Sequence, residues 1–142
     1  MIYLLDTDHI TLFEYRTGPA YAAFVLNLNT HPGDEITVSA VSFHEQVRGA
    51  HNKIGSAKKP AQLLRGYELL VGIIDQYRMF PVVNFDGAAL AVYDSLKPQK
   101  IRIGTLDLRI ASIALSRSMT VVTRNVSDFG RVPNLAVENW TR

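Results

Sequence analysis

The 142-residue sequence contains no cysteine, which excludes disulfides and thiolate-bound zinc, so a bound metal must rest on oxygen or imidazole. No apolar run approaches the ~20 residues that span a bilayer. The opening MIYLLDTDHI also lacks the basic stretch and small-residue cleavage site of a secretory leader. A cytoplasmic address and no membrane partner are expected. An excess of charge of one sign is missing as well: 15 Lys and Arg face 13 Asp and Glu, a formal +2, which permits a nucleic-acid partner without arguing for one. There is no internal repeat, low-complexity segment or linker, and no Walker loop, G-x-G-x-x-G, G-x-S-x-G or H-E-x-x-H motif. What is present is 47% hydrophobic residues, enough for one domain spanning residues 1–142 to bury a core without staples.

Apolar runs alternate with helical segments, which predicts an α/β fold of three layers, helix on sheet on helix, with a mainly parallel sheet. The unbroken run Ile2 to Leu5 reads as a strand buried on both faces. A helix carrying Ile10, Leu12 and Phe13 follows it, and Gly18-Pro19 starts another through Leu28. Ile36 to Ser39 reads as a second strand and Ala40 to Asn52 as a helix. The basic stretch Lys53 to Pro60 is expected to be a sizeable surface loop, before a long helix from Ala61 to Tyr77. Phe80 to Phe85 is a third strand, its entry or edge marked by Pro81. A helix opens at Asp86-Gly87 and ends near Lys97-Pro98, another runs from Leu106 to Ser118, Thr120 to Thr123 is a strand, and Leu135 to Val137 adds a last one.

Ligands of open parallel sheets bind beyond the carboxyl ends of the strands, so acids just after apolar runs are the ones to collect. Asp6 follows the first strand, Glu45 lies in the helix after the second, Asp107 opens the helix before Thr120, and Asp128 follows Thr123. Each has a plainer explanation. Asp6 could cap the next helix, Glu45 could pair with Arg48, Asp107 is favoured by the helix dipole, and Asp128 could serve a turn. Together the four can converge on one rim. Clustered carboxylates cannot all stay ionised without a cation, and hard oxygen donors suit Mg²⁺ or Mn²⁺. Such a site does phosphodiester chemistry with metal-activated water, and Thr7, Ser42, Thr123 and Asn125 are placed to orient waters or carboxylates.

Asp107, Ala111, Ala114 and Ser118 share one face, a stripe of small side chains that admits close packing on the sheet. Asp34, Glu35, Asp75, Asp86 and Asp94 read as turn, capping or surface acids. His9, His31, His44 and His51 form no ligand pattern and read as surface or internally satisfied residues. Arg48, Lys53, Lys58, Lys59 and Arg65, and later Arg102, Arg109, Arg117, Arg124 and Arg131, could guide a polyanion toward the acids. Tyr15, Tyr21 and Phe129 are candidates for stacking on bases.

Four stretches in order, Leu4-Leu5-Asp6-Thr7-Asp8, Ser42 to Gly49 (SFHEQVRG), Ile103 to Ala111 (IGTLDLRIA) and Thr123 to Phe129 (TRNVSDF), resemble the PIN-domain family, and more narrowly the VapC-like toxins of bacterial VapBC toxin-antitoxin pairs. The resemblance spans essentially the whole chain. It implies a PIN-like α/β/α fold, Mg²⁺- or Mn²⁺-dependent endoribonuclease activity on RNA such as tRNA or rRNA, a homodimer, and a small VapB-like antitoxin covering the acidic groove. On matching positions it implies Asp6, Glu45 and Asp107 as core metal-binding acids, with Asp128 and Asn125 as a more variable contribution. Asp8 departs from the Asn or Ser common there, which puts an extra carboxylate near the metal, and His44 replaces a small or apolar residue. The apolar segments Tyr21 to Leu28 and Leu63 to Ile74 are candidates for the dimer face. Two rivals remain. The first is a haloacid-dehalogenase-like phosphatase with Asp6 as nucleophile, disfavoured because no adjacent acidic pair follows Thr123. The second is a non-catalytic PIN-like binding module, disfavoured by the intact set of acids.

Overall fold

The apolar run Ile2–Leu5 forms the central strand, β1, of the computed structural model, which describes residues 1–142. Four further strands, β2 (Glu35–Ser39), β3 (Val82–Val83), β4 (Thr120–Val122) and β5 (Ala136–Glu138), complete a sheet in the order β3-β2-β1-β4-β5. Every pairing is parallel, as the strand-helix alternation predicts. Leu5 lies opposite both Val38 and Val122. The first residues beyond three neighbouring strands therefore emerge side by side along one edge.

Alternation along β1 divides the core in two. Leu4, with Val121 of β4, faces a cluster that takes in Ala89 and Leu96 of α6 (Gly87–Leu96) and Ile110, Ala111, Ile113 and Ala114 of α7 (Thr105–Ser116). Tyr3 and Leu5, with Val38 and Val122, face Ile10 of α1 (Thr7–Ile10), Phe13 of α2 (Leu12–Tyr15), Phe24 of α3 (Pro19–Asn29), Ala50 of α4 (Ala40–Gly55) and Ile73 of α5 (Pro60–Tyr77). Helices therefore cover both faces, giving the expected three layers. Ala111 and Ala114 are fully buried, so the small-residue stripe of α7 does admit close packing. Its last expected member, Ser118, lies beyond the helix with a left-handed backbone, φ 54°.

Several boundaries differ from the sequence expectation. The single helix over Ile10 to Phe13 is two one-turn helices, stopped by Arg16 at φ 53°. The third strand shrinks to two residues at the sheet edge, where Pro81 has no N–H to donate and instead accepts from Val38 through its carbonyl, at 3.0 Å. A short helix, α8 (Val126–Phe129), occupies what reads as a turn. The expected loop from Lys53 to Pro60 shortens to the four residues Ser56 to Lys59, because α4 continues to Gly55 and α5 begins at Pro60.

That extension is stabilised by a close approach of α4 and α5. A Cβ on Gly66 would stand 2.7 Å from Cγ1 and 3.3 Å from the backbone nitrogen of Ile54. Gly66→Val is therefore expected to push the two helices apart and cost about 1–3 kcal/mol, read as a lower urea midpoint. Gly49→Ala, where nothing lies within 4 Å of the added carbon, should leave the midpoint unchanged or raise it.

Candidate active site

Asp6 is the first residue beyond β1 and only 7% exposed. Its Oδ1 accepts from the Thr7 amide at 2.8 Å, so the capping explanation is correct as far as it goes. Its Oδ2 accepts from the Thr123 hydroxyl, also at 2.8 Å. Thr123, buried just past β4, in turn accepts from the Asn125 amide at 3.0 Å. One hydroxyl thus fixes the carboxylate at the end of β1 to the loop after β4. Asp8, two residues further, has both oxygens engaged: Oδ2 accepts from the Arg124 amide at 2.9 Å and Oδ1 lies 2.7 Å from Nδ1 of His9.

The other acids arrive from separate elements. Glu45 is on α4, whose start is capped by Ser39, the last residue of β2, accepting from the Ser42 amide at 2.9 Å. The Ser39 hydroxyl then donates to that of Ser42, at 3.1 Å, so Ser42 is held within this cap. Glu45 forms no ion pair with Arg48, contrary to its plainer explanation. Asp107 lies in the first turn of α7 and is half-buried. Asp128, in α8, accepts from Asn125 Nδ2 at 3.0 Å and pairs with Arg131 at 2.6 Å.

Their mutual field is the main electrostatic feature of this edge. Burial, and then the Asp8 carboxylate, push Asp6 up to about 7, against the lowering effect of its two hydrogen bonds, with a further contribution from Asp107. Burial also raises Asp107, reinforced by Glu45, Asp128 and Asp8. The Tyr77 phenol is raised well above its ordinary value by burial and by Glu45 and Asp6. Five acids from four parts of the chain thus interact at the carboxyl ends of β1, β2 and β4. No group of three or more His, Asp or Glu side chains is arranged so as to hold a metal ion. The donor set is nonetheless all oxygen, and the Thr7 hydroxyl oxygen beside Asp6 is buried without a hydrogen-bond partner. Both suit a hard cation with its water shell.

The remaining expectations divide. Asp86 caps α6 and pairs with Arg117 at 2.9 Å, and Asp34 pairs with the N-terminal amine, so both are structural acids. Phe129 is fully buried in the core and cannot stack on a base. Tyr21 packs edge-on against Phe13, while Tyr15 stays exposed. Three residues near the acids have partners that the sequence reading did not give them. Arg131 stands three residues after Asp128, a spacing that could have signalled the pair. Tyr77, at the end of α5, donates to Gln46 at 2.5 Å. His9 is fully buried beside Asp8, and no local pattern announces its partners.

No family model matches the chain. Among curated proteins it is 29% identical over 143 residues to the tRNA(fMet)-specific endonuclease VapC of Shigella flexneri, covering 98% of each. It is 28% identical over 147 residues to ribonuclease VapC1 of Haemophilus influenzae strain R2866, covering all of both. Among solved structures, VapBC2 from Rickettsia felis, bound to a DNA fragment from its promoter, matches with a TM-score of 0.72 at 26% identity over 99% of both chains. VapBC-1 from nontypeable H. influenzae matches with a TM-score of 0.70 at 28% identity over the whole of both.

Proposed function

We propose that this chain, VapC-like in sequence and fold, is an endoribonuclease dependent on Mg²⁺ or Mn²⁺ and the toxin of a VapBC pair. The observation that carries the reading is the mutual repulsion of Asp6, Asp8, Glu45, Asp107 and Asp128 at one edge of the sheet. Soluble folds avoid such a concentration of like charge unless a cation or a reaction uses it. Asp6, Glu45 and Asp107 are the residues we assign to the cation, with Asp128 as a fourth. When bound, the ion supplies the charge that activates an attacking water and stabilises the leaving oxygen of a phosphodiester. The chain's own contribution is orientation. Thr123 holds one oxygen of Asp6, the Thr7 amide holds the other, and Asn125 holds Asp128.

Arg124 and Arg48 are exposed beside these acids and form no ion pairs with carboxylates, which leaves them available to RNA phosphates. The names of the curated relatives favour RNA as substrate, tRNA among its classes. A row on α5, Leu63, Leu64, Tyr67, Val71 and Ile74, stays exposed, and so does Leu26 of α3, although Phe24 beside it is buried in the core. We assign this row to a second copy of the chain, and the acidic groove to a VapB-like antitoxin. The purified protein incubated with total tRNA and Mn²⁺ is expected to release discrete fragments on a denaturing gel, and excess EDTA to stop it. RNA left intact with Mg²⁺ and with Mn²⁺ would overturn the reading.

A further inference from the structure

We infer that His9 is a positioning residue, whose ring, its tautomer fixed by the Trp140 amide, holds Asp8 and through it the contact of Thr123 with the Asp6 carboxylate. The inference rests on the nuclease reading for its kinetic consequence but not for its geometry. The ring is fully buried and each nitrogen has one partner. Nε2 lies 3.1 Å from the backbone nitrogen of Trp140, 131 residues away in the chain. An amide can only donate, so Nε2 must accept, and the neutral ring carries its proton on Nδ1. That proton is donated to Oδ1 of Asp8 at 2.7 Å.

Asp8 passes the constraint on. With Oδ1 held by His9, its Oδ2 accepts the Arg124 amide at 2.9 Å and lies 3.3 Å from the Thr123 hydroxyl oxygen, which is 2.8 Å from Oδ2 of Asp6. The backbone at the exit of β4 is thereby drawn toward α1 at the point where Thr123 must meet Asp6. The far end is equally fixed. Trp140 is 2% exposed, its carbonyl accepts from Asn27 at 3.3 Å, its indole donates to Glu138 at 2.7 Å, and its ring stacks on His31 with centroids 4.6 Å apart. Phe24 closes the edge of the His9 ring at 5.3 Å. Asp8 is in this account an orienting acid, since its two oxygens are already occupied by His9 and by the β4 exit.

Two substitutions separate the halves of the relay. In His9→Asn the amide nitrogen takes the place of Nδ1 and can donate to Asp8, while the Trp140 amide loses its acceptor. In His9→Gln the carboxamide oxygen takes the place of Nε2 and can accept from Trp140, while Asp8 loses its donor. Nitrogen NMR of the wild-type protein should show the Nδ1-protonated tautomer. The Arg124 amide resonance should shift in His9→Gln and stay near its wild-type position in His9→Asn. With Mn²⁺ and tRNA, kcat should fall about 10-fold or more in His9→Gln, the scale of lost orienting partners, and within about threefold of wild type in His9→Asn, whichever melts lower. An Nε2-protonated ring, or a wild-type Arg124 resonance and kcat in a folded His9→Gln, would overturn the inference. If the wild type cleaves no RNA, the nuclease reading fails and the tautomer and the Arg124 resonance still decide the relay.

Discussion

Asp6→Asn and Asp107→Asn are each expected to lower RNA cleavage by about a thousandfold, the rate equivalent of about 4 kcal/mol of transition-state stabilisation. Neither should unfold the protein. Asp6 is buried and repelled by Asp8 and Asp107, so a neutral amide of the same shape removes a buried charge while keeping a polar group for the Thr7 amide and Thr123 hydroxyl. Asp107 is raised for the same reasons, so its replacement also relieves repulsion. The fitting control is Asp86→Asn, which weakens the cap of α6 and the pair with Arg117 on the exposed surface and should leave cleavage intact. Single-turnover rates with Mn²⁺, compared with circular dichroism melts of the same samples, separate chemistry from stability. Cleavage by both variants within a few fold of wild type would remove the acids from the mechanism.

The second large effect is a stability that falls as the pH rises. Asp6 is raised from 3.8 to about 7 in the folded protein, so between those values the folded state holds a proton that the unfolded state has released. Unfolding then releases that proton, and linkage makes the stabilising contribution complete below about pH 4 and lost as the pH climbs through about 7. For a largely buried carboxyl this is on the order of 2–4 kcal/mol, or roughly 10 °C in Tm for a domain of this size. In EDTA, the wild-type protein should therefore melt lower at pH 8 than at pH 5.5, and Asp6→Asn should flatten the difference. A cation binds the ionised carboxylates, so saturating Mn²⁺ should raise Tm more at pH 8 than at pH 5.5. Parallel melting profiles for wild type and Asp6→Asn across this range would show that Asp6 does not carry the dependence.

The two effects arise from one feature. The backbone brings Asp6 level with the ends of β2 and β4 because Leu5 pairs with both Val38 and Val122. The side chains then meet carboxylates from α1, α4, α7 and α8 whose repulsion the fold tolerates in part by hydrogen bonds to Asp6. Stability and reactivity are thus opposed at the same atoms, as is common where charge is gathered for chemistry.

Much of this was legible in the residues themselves. Apolar runs of four or five residues between helical periods can be buried only as central parallel strands, and such a sheet presents its ligand-binding edge at the carboxyl ends. Asp6, Glu45, Asp107 and Asp128 could therefore be collected from their places relative to those runs, with no knowledge of side-chain direction. Helix starts at Pro19 and Gly87 were equally readable, and that of α5 to within one residue, because proline and the capping Asp86 act through their immediate neighbours.

What remained for the tertiary structure was every partnership between distant parts of the chain. Gly55 reads as a breaker, yet α4 runs up to it because Ile54 finds Gly66 across the hairpin. Phe129 resembles an exposed aromatic until the core closes over it. Asp8 looks like a spare carboxylate until His9, Thr123 and Arg124 take up its oxygens, and His9 finds its own acceptor role only at Trp140. Hydrophobic period and capping act over a few residues, so sequence alone sets them. Hydrogen-bond partners more than a hundred residues apart depend on how the helices and strands are finally packed, and only the assembled fold determines which acids are free to react and which are held in place.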